Sequence, residues 1–214
     1  PFLLVVSIMG GFAGLASRGA WVGSIVKEST PAFALPHQSL WLVGFLMFCA
    51  ALTEGAVADW AAIFLQERLN LTEAMAVSGF VTFSLAMFTG RMLADNLVGQ
   101  FGAIRVCWFG GLLATLGICI VLFVSSFGVV LIGFLLLGFG LAPVFPLGCA
   151  RAANDPFVTA GQGLAGVATL GYGGIMLGPA IIGFVTQQSG IFVGFSLLLL
   201  CTLYQVVFSS CLRR

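Results

Sequence analysis

The stretch LWLVGFLMFCAALTEGAVADWAAIFL, residues 40–65, holds two charged residues, Glu54 and Asp59, in an otherwise apolar run. Coiled as a helix at about 1.5 Å per residue, it outspans a hydrocarbon core of roughly 30 Å. The rest of the chain has the same character. Of 214 residues, 60% are hydrophobic and 7% charged, with a mean hydropathy of +1.16. Soluble domains carry about 25% charged residues, so this chain has too few to cover a water-facing surface. Lipid is its expected solvent. With a net charge of +1, no basic patch points to nucleic acid.

The polar breaks divide the chain into spans. Residues 1–17 are uncharged and read as a short span. Residues 18–38 hold Arg18, Lys27, Glu28, Pro31 and Pro36 and read as a loop, with His37 in it. Beyond it the breaks QERLNLTE (66–73), GRMLADNLVGQFG (90–102), SSFG (125–128), RAANDP (151–156) and QQSG (187–190) set off six spans, at about 40–66, 74–90, 104–125, 127–150, 160–187 and 190–212. This is an all-α integral membrane protein. With alternating sides, Arg18, Lys27, Arg91, Arg105, Arg151, Arg213 and Arg214 fall on one side and Arg68 on the other. Basic residues favour the cytoplasm, so the 18–38 loop and the C-terminus are expected there. The chain begins at Pro1 without a signal-peptide pattern and reads as a piece of a longer protein.

Catalytic chemistry is sparse. The six cysteines lie in apolar runs without CxxC spacing and read as small hydrophobes, so no metal, disulfide or cofactor is expected. With one histidine and no HExxH or GxSxG in a span, the chain does not read as an enzyme.

GRMLADNLVGQFGAIRV (90–106) falls between two spans. Gly90 permits close helix approach, Arg91 and Asp95 share a face at i,i+4, Gly102 can turn the chain, and Arg105 opens the next span. The segment resembles the cytoplasmic loop motif of the major facilitator superfamily, between the second and third helices of its C-terminal half. Asn96 stands where that pattern usually has a basic residue. GFGLAPVFPLG (138–148), with Pro143 and Pro146, resembles the fourth helix of such a half, and GGIMLGPAIIGF (173–184) the fifth. LTEGAVADWAAIFL (52–65) is similar to the first helix of that half in bacterial fucose-permease-like proteins. The resemblance implies that 1–17 is the last helix of a missing N-terminal six-helix half, 18–38 the central cytoplasmic loop, and 39–214 the C-terminal bundle. The implied function is secondary transport of a small-molecule substrate by alternating access, coupled to protons. The implied partners are the lipid bilayer and the missing half. A non-transporting scaffold or a homodimeric six-helix pore is the alternative.

A carboxylate inside a membrane marks a substrate or proton path by default. Glu54 lies about 21 Å past Leu40 along the axis, near mid-membrane, on a face with Ala50, Ala51, Ala58 and Ala61. It is the expected coupling or substrate-binding residue. Asp59 lies about 7 Å further out and about 140° around the helix, too far round to share a proton with Glu54. Beside Trp60, it is expected at the outer interface, as the second proton-coupling or substrate candidate or capping a neighbouring helix. Gln162 and Tyr172 fall on the helix that borders the cavity in the resembled fold, as candidate cavity-lining residues. Gly90, Arg91, Asp95, Gly102 and Arg105 form the expected gating loop.

Overall fold

Hydrocarbon offers no partners for backbone N–H and C=O groups, so a chain that lives in it must satisfy them within each segment. The computed structural model describes residues 35–213, and every membrane-length segment among them is helical. A short 3-10 turn (Gln38–Leu40) leads into α1 (Trp41–Leu69), followed by α2 (Glu73–Phe101), α3 (Ala103–Phe123), α4 (Phe127–Leu141), α5 (Val144–Ala153), α6 (Ala160–Ser189) and α7 (Ile191–Phe208). The chain closes on a 3-10 turn, Ser209–Leu212. Because α4 and α5 form one broken span, six helical segments are long and apolar enough to cross a membrane. The expected span at 1–17 and most of the 18–38 loop lie outside the described residues.

The break between α4 and α5 falls at Ala142–Pro143, where proline lacks the N–H that would continue the helical ladder. Pro146 sits in the first turn of α5, where proline is tolerated. One boundary differs from expectation. The segment expected as a loop from Gly90 is helical through Phe101, and the reversal is confined to Gly102, at φ 82°. Arg91 does not break the helix because arginine is a good helix former and its guanidinium meets a carboxylate on α1.

The helices pack through glycine. α1 and α6 run parallel. A Cβ on Gly174 would strike the Phe48 carbonyl, and one on Gly178 would stand 2.6 Å from the Leu52 carbonyl. The two glycines are four residues apart, so they share a face and let the backbones touch, which is how helices associate where lipid removes the hydrophobic drive. Gly110 against Gly140 and Gly117 against Gly133 do the same for α3 and α4. Phe64, Phe83, Phe134 and Phe195 fill the core, with Phe64 and Phe195 stacked at 4.4 Å between centroids. α2 and α6 keep exposed apolar faces, at Val81, Leu85, Phe88 and Met92 and at Met176, Leu177 and Phe184.

Candidate functional site

Glu54 stands thirteen residues into the 29-residue α1, about 20 Å from its start and near its middle. α2 returns antiparallel beside it, and Arg91, ten residues before its end, lies about 15 Å from that end. There the Arg91 Nη2 donates to Glu54 Oε2 at 3.2 Å. The expected gating residue Arg91 thus meets Glu54 well inside a membrane-length helix. It pairs with Glu54 and not with Asp95, which is exposed and makes no ion pair among the described residues. Both partners remain open, with side-chain exposures of 47% for Arg91 and 35% for Glu54. The alanine-rich surroundings of Glu54 are mixed, since Ala51 and Ala61 are buried and Ala58 is exposed.

The other expected site residues do not join this pair. Asp59 is exposed and caps no helix among the described residues. Trp60 joins α1 to α6: its indole Nε1–H donates to the Pro179 carbonyl at 3.1 Å, and its ring lies against Gly183. Gln162 closes a capping box at the start of α6, its Oε1 accepting from the Thr159 N–H at 3.5 Å and its N–H donating to Thr159 Oγ1 at 3.4 Å. It is spent on the helix end. Tyr172 is 60% exposed on α6, with its ring 6.0 Å from Phe145. Gly90 lies against Ala142 at the α4–α5 break, where its Cβ would stand 2.7 Å away. Arg105 is exposed in the first turn of α3.

Two polar clusters were not anticipated. At the end of the bundle that carries Gly102, Asp155 accepts from Ser39 Oγ (3.1 Å), the Phe157 N–H (3.0 Å) and Arg151 Nη1 (2.9 Å). Arg151 Nε also donates to the Arg213 carbonyl at 3.1 Å. The segment before α1, the α5–α6 loop and the C-terminal turn are thereby tied together. Burial pushes the Asp155 carboxyl up, but the Phe157 amide, Arg151 and Ser39 outweigh it and hold it below 3.8. Inside the bundle, Gln205 of α7 is buried, and its Nε2 donates to the carbonyls of Cys107 (3.1 Å) on α3 and Gly140 (2.9 Å) on α4.

An uncharacterised MFS-type transporter of Yersinia pestis is 35% identical over 180 residues, 84% of this chain and 47% of that protein. The structure of a peptide transporter POT in complex with sulfate superposes with a TM-score of 0.71 at 16% identity, covering 87% of this chain and 41% of that one. The chain belongs to the major facilitator superfamily, its described residues forming one six-helix half of that fold. An uncharacterised transporter of Sinorhizobium fredii, y4wD, is 35% identical over 190 residues, covering 88% of this chain and 50% of that protein. The membrane protein MosC of Rhizobium meliloti is 34% identical over 157 residues, covering 73% of this chain and 39% of that protein. The POT family transporter PepTSo superposes at a TM-score of 0.66, with 18% identity over 80% of this chain and 36% of that one. The major facilitator half therefore spans about half the length of the curated relatives it matches. None of the three is described as a fucose permease. No family model matches the chain. Its relatives in this superfamily are named as transporters and not as enzymes.

Proposed function

We propose that the chain is the C-terminal half of a secondary transporter that moves a small solute by alternating access, with Glu54 carrying the coupling proton and Arg91 as its counter-charge. The observation behind this reading is the Glu54–Arg91 pair, 3.2 Å apart near mid-span and open to the surface. An ion pair in hydrocarbon is expensive and normally faces a bundle interior or a water-filled path. Here that path would run between this half and the remainder of the protein, along the exposed faces of α2 and α6. The clustering of Arg105, Arg151 and Arg213 at one end favours a cytoplasmic C-terminus, as in a bacterial inner membrane.

The test uses the full-length protein in liposomes with a trapped pH dye. The transported solute is first found as the one whose addition shifts the internal pH. Glu54→Gln keeps shape and hydrogen bonding but cannot release a proton. It is expected to abolish the pH shift while counterflow of the same solute persists, because counterflow needs binding and the conformational cycle without net proton movement. A Glu54→Gln protein that still moves protons with its solute would sink the coupling role.

A further inference from the structure

We propose that the α2–α3 turn and the adjoining groove hold an anionic phospholipid, its phosphate between Arg105 and Arg213 and one acyl chain along the groove. This rests on the membrane-spanning bundle and not on proton coupling. Two hollows meet at the turn. One, of about 590 Å³, is lined by Val98, Gly102, Ile104, Arg105, Leu212 and Arg213. The other, of about 380 Å³, runs between α2, α3 and α4 and is walled by Leu93, Leu97, Phe109, Leu113, Leu136 and Phe139. Phe101 belongs to both walls, so the hollows adjoin.

The two hollows differ in chemistry. The first carries two arginines that make no ion pair among the described residues, whose pairs are Glu54–Arg91 and Arg151–Asp155. Arg213 is also held in place, since its carbonyl accepts from Arg151. The turn itself is kept open: a Cβ on Gly99 or Gly102 would meet nothing within 4 Å. The second hollow has no charge on its walls, and Leu93, Phe109 and Leu113 are exposed where hydrocarbon would lie. A double arginine at the membrane surface above an apolar groove matches an anionic headgroup with its chain beneath it. Basic pockets between spans recognise lipid phosphates in this way, and the forked guanidinium suits phosphate oxygens. A free phosphate would leave the groove unfilled. Another protein segment would have to meet both the arginines and an uncharged wall inside the bilayer.

The experiment places full-length protein in nanodiscs with equal dioleoyl phosphatidylglycerol and dioleoyl phosphatidylcholine, extracts it in mild detergent, and quantifies the lipids that stay bound. Two arginines acting together predict a preference for phosphatidylglycerol of about thirtyfold, and Arg105→Gln or Arg213→Gln alone should lower it to about fivefold. The double variant should show no preference. The single variants each remove one exposed side chain and carry the test should the double variant not fold. Leu93→Trp, which fills the groove and leaves both arginines, should shed the lipid, whereas Arg68→Gln should leave the preference intact. Equal retention of the two lipids by wild type would overturn the proposal. So would an unchanged preference in both single variants, or displacement of phosphatidylglycerol by glycerol 1-phosphate, which would assign the arginines to a soluble phosphate.

Discussion

Replacing Asp155 with asparagine should loosen the end of the bundle where the arginines gather. The carboxylate is fully shielded, with a side-chain exposure of 0%, and three donors converge on it from three parts of the chain. Hydrogen bonds to a charged group contribute about 1.5–3 kcal/mol each, net. Asparagine keeps one oxygen for Ser39 and Phe157 but turns an amide toward Arg151, so donor faces donor and one charge-assisted bond is lost. The expected cost is about 1.5–3 kcal/mol, rising to about 3–5 kcal/mol for alanine, which leaves Arg151 without its partner. The pH dependence follows from the lowered carboxyl. Its contribution is complete above the ordinary value of 3.8 and drains away as pH falls through the lower folded value. Wild type therefore weakens on acidification while the asparagine variant, with nothing to protonate there, does not, and the gap between them closes. SDS-titration unfolding of the full-length protein, followed by tryptophan fluorescence at neutral and acid pH, reads both effects. Equal stability at neutral pH, or a gap that survives acidification unchanged, would refute the reasoning.

Gly174→Val should cost about 1–3 kcal/mol by forcing α6 off the Phe48 carbonyl, whereas Gly173→Ala beside it, where a Cβ meets nothing within 4 Å, should stay within about 0.5 kcal/mol. The two are compared by the same unfolding titration. Gln205→Leu keeps the volume but loses both carbonyl contacts, an expected loss of about 1–2 kcal/mol, read as a lower midpoint. An unchanged midpoint would mean that α3, α4 and α7 hold together by packing alone.

The spans were legible in the sequence because lipid imposes a length and a polarity on each of them. The tight seams were legible in kind, since Gly174, Gly178 and the Gly-Pro pair mark close approach, but the residues they meet are tertiary facts. The end of α2 was misjudged for the same reason. Arg91 and Asp95 look like a loop until the partner of Arg91 is known, and that partner, Glu54, lies thirty-seven residues back on another helix. The capping box of Gln162 was legible, because Thr-x-x-Gln from Thr159 is its spacing. Gln205 carried the same signal as Glu54, a polar side chain in an apolar run, and only its smaller cost concealed it. Asp155 sits in a loop by any reading. What the sequence could not tell is that Ser39 and the Arg151 guanidinium close over it.

The Glu54–Arg91 pair also bears on electrical work. While both groups are ionised their charges cancel, so displacing them together across the membrane does little work against the potential. A proton on Glu54 leaves the arginine's charge uncancelled. From then on the same displacement is coupled to voltage, by up to about 2.3 kcal/mol for each 100 mV the charge traverses. If Glu54 carries the coupling proton as proposed, the pairing sets which half of the transport cycle the membrane potential can push: the half in which the carboxyl is loaded, and not the half in which it is empty.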